Sequence, residues 1–235
     1  MSEILRLGMA GLGVASTQIL PPISKLPFIK ITAAADTRTD AVAKFREQYN
    51  AEGYTSIEEL CASPNVDAVY IATPNSLHAE HAITAAKQKK HIIVEKPMAM
   101  TLAECDAMNE AADKYGVKLL CGHTHSFDPP IRKIREIVKS GEFGKLCMIN
   151  TWNYNEFMYR PRMKHELAMT RGVVLNQGPH HVDIVRLIGG GMVRSVRAMT
   201  GIWDPAREWE GSYTCYLEFE EGTPATLIYS GYGFF

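Results

Sequence analysis

Gly11-Leu12-Gly13 follows directly on the apolar run Ile4-Leu5-Arg6-Leu7-Gly8-Met9-Ala10 and leads into the helical pattern that starts at Val14-Ala15-Ser16. The first glycine suits a tight turn and the second a close approach of the backbone to a phosphate, whose charge a helix N-terminus favours. A second apolar strand, Phe28 to Ala35, stops at Asp36, 23 residues beyond Gly13, where a carboxylate can accept hydrogen bonds from an adenosine ribose. The third position of the motif is Ser16 rather than Gly or Ala, so the glycines alone are a weak signal. A plain strand-to-helix turn with a solvated Asp36 accounts for the same residues. The combination favours a dinucleotide: NAD first, since Asp36 repels a 2′-phosphate, with NADP kept open by Arg38.

The alternation continues. Val66–Ala72, His91–Glu95 and Val117–Cys121 read as further strands, and helical patterns lie near 40–49, 76–89 and 102–115. Strands and helices at this spacing imply right-handed crossovers and a parallel, doubly wound α/β sheet, here a Rossmann domain over residues 1–122. Beyond it the pattern changes to a helix (131–139), strands at 146–154, 192–201, 213–218 and 225–229, and a helix near 181–188. This second stretch, 123–235, reads as an α+β domain with a predominantly antiparallel open sheet. Gly178-Pro179 reads as a turn, with the helix starting at about Pro179. The last residues of the 235-residue chain are an apolar strand and then Gly231-Tyr232-Gly233-Phe234-Phe235, so the second sheet is expected to be incomplete.

Composition narrows the class. Lys and Arg number 25 against 26 Asp and Glu, for a net charge of −1, which gives no electrostatic reason to expect nucleic acid or an anionic membrane as partner. The five cysteines are scattered and never spaced C-x-x-C, which fits a reducing cytoplasm better than a disulfide framework. Leu7 to Ser24 is uncharged, but Glu3, three glycines, Gln18 and Pro21-Pro22 spoil both a signal peptide and a membrane helix.

Three further clusters could carry chemistry. Thr73-Pro74-Asn75-Ser76-Leu77-His78 opens right after a strand, on the rim where such folds bind ligands, although Asn75 or Ser76 would equally serve as a helix N-cap. Glu95-Lys96-Pro97 ends the next strand on the same rim; a lysine there can lower the pKa of a neighbouring hydroxyl, and Lys-Pro allows a cis bond. Taken alone, the tripeptide reads more readily as a surface lysine before a loop proline. Asn176-Gln177-Gly178-Pro179-His180-His181-Val182-Asp183 offers His180 as a general acid/base, with Asn176 one turn earlier if the segment is helical. Cys121, His123 and His125 alternate along a strand end, but no fourth ligand has suitable spacing and no metal is expected. Trp152, Tyr154, Phe157 and Tyr159 with Arg160, Arg162 and Lys164 could frame an aromatic or carboxylated ligand, or form a strand edge and a solvated loop.

In order, these elements resemble the Gfo/Idh/MocA family of nicotinamide-dependent oxidoreductases. The resemblance runs through the glycine turn, Ala34-Ala35-Asp36, Ala72-Thr73-Pro74-Asn75 with His78, and Glu95-Lys96-Pro97. It continues through Gly122-His123, Phe127-Asp128-Pro129, Gly141-Glu142-Phe143-Gly144 and Leu175–Asp183. It implies an enzyme that passes hydride between a carbinol carbon and the nicotinamide. Lys96, His180 and Asn176 would form the catalytic set. Gly11, Gly13, Val14, Asp36, Thr73, Asn75, His78, Glu95 and Lys96 would hold the cofactor. Tyr154, Arg160, Arg162 and His180 would meet the substrate. Lys96 would contact substrate and nicotinamide, and His180 would exchange the hydroxyl proton. A homo-oligomer through the C-terminal sheet is also implied.

Within the family, the chain is similar to phthalate cis-4,5-dihydrodiol dehydrogenases, which implies a cyclic cis-dihydrodiol as substrate and a role in aromatic catabolism. A sugar or inositol dehydrogenase of the same family is the alternative. A non-catalytic dinucleotide-binding sensor is a third reading. Asn176 favours it, standing where many members have aspartate, because an amide cannot share a proton with His180. The usual glycine run before Leu175 is also reduced to Gly172-Val173-Val174, as for a missing residue or a shifted loop.

Overall fold

The computed structural model describes residues 4–160, 163–189 and 191–233 (backbone alone over 163–166), and the chain divides into two compact units, 1–122 and 123–235. In the first unit, β1 (Leu5–Ala10), α1 (Val14–Ile23), β2 (Ile29–Ala35), α2 (Thr39–Tyr49), β3 (Glu52–Tyr54) and α3 (Ile57–Ala62) form one half. The other half is β4 (Ala68–Ile71), α4 (His78–Lys87), β5 (His91–Val94), α5 (Leu102–Tyr115) and β6 (Leu119–Cys121). All six strands run parallel in the order β3-β2-β1-β4-β5-β6. The order reverses between β1 and β4, and ligands of such sheets bind in the crevice this reversal leaves beyond the strand ends.

Both faces of this sheet are covered, which is why its strands read as continuous apolar runs. Leu7, Met9, Ala34 and Tyr70 pack with Leu20 of α1 and Phe45 of α2. Ala33, Val69, Ile71 and Ile92 pack on the other face with Leu60 of α3, Ala82, Ala85 and Ala86 of α4, and Met108 of α5. α1 runs through Pro21 and Pro22 to its end at Ile23, so each proline removes a donor from the ladder near the C-terminus, where few bonds are left to lose.

The second unit contains α6 (Pro129–Ser140), β7 (Ile149–Tyr154), α7 (Met163–Thr170), α8 (Val173–Gly189), β8 (Val193–Gly201), β9 (Ser212–Phe219) and β10 (Pro224–Ser230). Its four strands follow the order β7-β10-β9-β8 in an open sheet; β10 lies parallel to β7 and the other two pairings are antiparallel. One face carries Ile149, Leu217, Phe219, Leu227 and Tyr229 into a core shared with Val173, Val185 and Ile188 of α8. Phe234 and Phe235 lie outside the described residues.

α8 corrects one expectation. The helix does not begin at Pro179 but six residues earlier, with Pro179 inside it. Burial of Val173, Asn176 and Gly178 ahead of the proline outweighs the one ladder bond it removes. Glu210 caps the new start: its backbone carbonyl accepts from Val173 N–H at 3.2 Å and its side chain from Val174 N–H at 3.1 Å. The shortened glycine segment before Leu175 is accommodated by Gly172, whose φ is +123°.

Candidate active site

The glycine turn sits at the carboxyl end of β1. Gly11 has φ +89°, and a Cβ there would stand 2.6 Å from the carbonyl oxygen of Ala72 at the end of β4, so no other residue fits without moving backbone. Gly13 precedes α1 with no side-chain cap, and the first turn carries no acidic residue. The Ser16 hydroxyl, almost wholly buried, turns back to donate to Gly13 O at 2.6 Å. The opening N–H groups of α1 therefore find no capping side chain, and the space beyond Gly13 is open out to 4 Å. That is the donor set and the room a pyrophosphate needs, and the residues present fit a dinucleotide. Val14, the first residue of α1, is more than half exposed beside this turn.

A cleft of about 570 Å³ runs from Gly11 and Gly13 past Asp36 and Arg38 to Thr73 and His81. That volume is in the range of small-molecule and cofactor sites. Asp36 accepts from the Leu12 N–H at 2.7 Å and from the Arg38 N–H at 2.9 Å. Burial works against its charge, but the hydrogen bonds from Arg38 and Leu12 outweigh that and hold the carboxyl below the usual carboxylate range. Thr73 lines the cleft with its hydroxyl 3.0 Å from His81 Nδ1, and burial lowers the pKa of that imidazole, favouring its neutral form. Asn75 starts a single 3-10 turn and is not among the cleft-lining residues.

His78 requires a correction. Its side chain is completely buried, with Nδ1 2.9 Å from Pro97 O and Nε2 3.0 Å from Thr73 O, so no ring atom is available to a cofactor. It ties the Thr73 loop to the Glu95-Lys96-Pro97 segment instead. His78→Ala would leave one of these carbonyls without its donor and open a hole between the two segments, at about 1–3 kcal/mol for the hydrogen bond alone, and the denaturation midpoint of the protein should fall accordingly. An unchanged midpoint would dismiss the tie.

Lys96, half-buried at the end of β5, precedes a cis bond to Pro97. Glu95 beside it is held in place: Oε1 accepts from the Tyr70 hydroxyl at 2.6 Å and Oε2 from the Lys96 N–H at 3.2 Å. Burial first, and then Glu95, push the Tyr70 phenol well above its ordinary pKa. Glu95 thus anchors the peptide that carries Lys96.

In the second unit His180 lies half-buried on α8, one turn after the buried Asn176, whose Oδ1 accepts from Gln177 Nε2 at 2.6 Å. The His125 ring stands edge-on to the His180 ring with centroids 4.7 Å apart, and its Nδ1 lies 2.9 Å from Asp128 Oδ2. The Ser126 hydroxyl donates to Asp183, which pins this segment to α8. His181 Nδ1 is 3.0 Å from the Tyr213 hydroxyl, and burial lowers the pKa of that imidazole too. His125 and Asp128 are therefore neighbours of the candidate base that sequence reasoning did not place there. The signal was present: the i,i+3 pair His125-x-x-Asp128 stands directly before the helix-starting Pro129. Among the described residues, no three His, Cys, Asp or Glu side chains gather closely enough to hold a metal ion.

The expected substrate group does not converge. Ile149 faces the core, so by the period of two Tyr154 and Trp152 project from the opposite face of the sheet, away from α8. Phe157 is buried in the core, and Arg160 is spoken for by Glu156 at 2.8 Å. Arg162 lies outside the described residues.

A family model described as "Oxidoreductase family, NAD-binding Rossmann fold" matches residues 5–123, and one described as "GFO/IDH/MocA C-terminal domain" matches residues 131–232. A Comamonas testosteroni protein named 1-carboxy-3-chloro-3,4-dihydroxycyclo hexa-1,5-diene dehydrogenase is 41% identical over 231 residues, 97% of this chain and 58% of its own length. The myo-inositol 2-dehydrogenase of Thermotoga maritima is 31% identical over 195 residues, 83% of this chain and 58% of that protein. The chain thus spans 58% of the length of both. A crystal structure from Bordetella bronchiseptica RB50 superposes with a TM-score of 0.94 at 40% identity, covering 99% of this chain and 62% of that one.

Proposed function

The chain belongs to the Gfo/Idh/MocA oxidoreductase family, and from that membership we propose that it is an NAD(P)-dependent dehydrogenase acting on a secondary alcohol of a carboxylated cyclic cis-dihydrodiol, such as phthalate 4,5-dihydrodiol. The observation that carries the reaction class is the rim on which Gly11, Gly13 and Asp36 frame a cleft fit for a dinucleotide. Support for the substrate class is the similarity to the Comamonas dehydrogenase, whose name specifies a carboxylated cyclohexadiene diol.

Bound at that cleft, the nicotinamide would accept the hydride from the carbinol carbon. Lys96 would act on the reacting hydroxyl, since a neighbouring ammonium favours the alkoxide. His180 accepts the hydroxyl proton, with its ring orientation held by His125 and, through His125, by Asp128. Asn176 orients without taking a proton. A ring ketone formed from a cyclohexadiene diol gains aromaticity on enolisation, which favours the oxidative direction.

The similarity to a myo-inositol dehydrogenase favours a polyol as the second reading. The test is a screen of the protein with NAD and NADP against cyclic dihydrodiols, inositols and sugars, reading product and reduced cofactor. Oxidation of a carboxylated dihydrodiol at rates well above the polyols is expected. Preference for an inositol would replace the substrate assignment, and dinucleotide binding without oxidation of any alcohol would favour the sensor.

The outward face of the second sheet supports a homo-oligomer. Cross-strand register sets Trp152, Ile228, Thr214 and Met199 in one row across it, with Trp152 and Met199 both more than half exposed. Trp152→Glu and Met199→Glu should each shift the sedimentation coefficient to that of a smaller species, and identical sedimentation would refute this interface. The five cysteines, all thiols, fit a reducing cytoplasm, and among the described residues no helix is long and apolar enough to cross a membrane.

A further inference from the structure

Each oxygen of Asp36 already accepts two hydrogen bonds. Oδ1 takes the Arg38 N–H at 2.9 Å and Arg38 Nε at 3.0 Å; Oδ2 takes the Leu12 N–H at 2.7 Å and Arg38 Nη2 at 3.0 Å. A carboxylate offers about four acceptor sites, so the group is saturated. Two of the four donors are backbone and stay. The other two come from the guanidinium fork, one to each oxygen, which is the pattern in which a vicinal diol donates. Nη2 also reaches Leu12 O at 2.9 Å, so the side chain straps Asp36 to the glycine turn. The Asp36 side chain is 9% exposed and that of Arg38 57%, so the fork can swing into solvent while the carboxylate cannot.

We propose that Arg38 is a specificity-determining strap that occupies the ribose-diol position on Asp36, must open for NAD, and once open pairs with the 2′-phosphate of NADP. The inference rests on the dinucleotide reading above. For NAD the two diol hydrogen bonds only replace those of the fork, so opening the strap offsets much of what Asp36 contributes. NADP, which has only the 3′-hydroxyl to offer Asp36, regains a charge-assisted contact to its phosphate. Among the described residues lining the cleft, Arg38 is the one arginine or lysine, against Asp36, Glu58 and Glu80. Among the described lining residues no other arginine or lysine could meet a phosphate there. One side chain thus works against NAD and for NADP, which narrows the preference that Asp36 alone would impose.

The test is calorimetric Kd for NAD and NADP on the whole chain and on Arg38→Ala, Arg38→Lys, Asp36→Ala and the double variant. Arg38→Ala should tighten NAD by about two- to fivefold, the scale of an exposed ion pair released, and weaken NADP by about tenfold or more. Arg38→Lys, which keeps charge without the fork, should tighten NAD similarly yet retain most NADP affinity. In the Asp36→Ala background, Arg38→Ala should no longer tighten NAD, because the strap has lost its anchor. Equal losses for both dinucleotides in Arg38→Ala, or tightening that persists without Asp36, would overturn the strap while leaving the dinucleotide site standing. Failure of the unaltered chain to bind either dinucleotide would overturn both.

Discussion

Lys96→Met and His180→Ala, made separately, are each expected to lower kcat by about 10²- to 10⁴-fold, the usual contribution of a positioned proton-transfer group. The two losses have different causes. Methionine keeps the apolar stem of Lys96 and its place at the end of β5, held by the Glu95 carboxylate on its N–H, but removes the ammonium proposed to favour the alkoxide. Dinucleotide affinity should change far less than turnover. His180→Ala removes the proposed acceptor of the hydroxyl proton and strips the His125 ring of its edge-on partner. Asn176 cannot substitute: a carboxamide does not take the proton, and its Oδ1 already accepts from Gln177. Combined, the two changes should cost less than the product of the single losses if both residues serve one proton transfer as proposed. Stopped-flow hydride transfer and equilibrium NAD binding on the same preparations separate chemistry from affinity. Full activity in both variants would refute the catalytic assignment.

The parallel sheet was legible because its strands are buried on both faces, so that runs such as Val66–Ala72 stand out against the helical patterns between them. β3 was not: three residues, one of them glycine, carry no periodicity, and the strand exists because α2 ends at Asn50 in a left-handed cap and delivers Glu52–Tyr54 to the edge of β2. The space above Gly53 is filled by Val42 and Arg46 of α2, a tertiary constraint that no local pattern announces. The start of α8 was hidden for a related reason, because Gly178-Pro179 is a turn signal locally and is overruled by burial along the helix.

The site divides in the same way. Gly11, Gly13, Asp36, Thr73 and Lys96 could be placed from sequence because the strand ends fix the rim on which they stand. His78 could not: a histidine on the first turn of a helix looks like a ligand contact, and only burial between two carbonyls shows a tie. Tyr154 failed because it shares with Trp152 the outward face of β7, opposite the face that Ile149 turns to the core under α8. The closeness of His125 and Asp128 to His180 was not legible, because it depends on α8, some fifty residues away in the chain.

Gly11→Ala and Gly13→Ala distinguish folding from binding at one turn. The Cβ added at Gly11 meets Ala72 O at 2.6 Å, Ala72 C at 2.8 Å and Thr73 N at 2.9 Å, all backbone, in a residue with φ +89°. Relief requires separating the β1 end from β4, where Ala72 N–H donates to Ala10 O at 2.8 Å, or from β2, where Gly11 N–H donates to Ala35 O at 2.8 Å. Left-handed backbone costs a residue with a Cβ about 1 kcal/mol and overpacking about 1–3 more, so Gly11→Ala should lose roughly 2–4 kcal/mol of stability. Dinucleotide affinity should fall with it, because the ends of β2 and β4 carry Asp36 and Thr73. Gly13 has φ −85° and nothing within 4 Å of its added Cβ, so Gly13→Ala should unfold at the same denaturant concentration as the unaltered protein. Its methyl group would nevertheless stand in the space over the start of α1 that a pyrophosphate takes, and NAD affinity should drop about tenfold or more, the effect of losing roughly one charge-assisted hydrogen bond. If Gly13→Ala binds NAD as the unaltered chain does, the phosphates do not lie over this turn. A Gly11→Ala protein with an unshifted midpoint would mean that the close approach to Ala72 relaxes without cost.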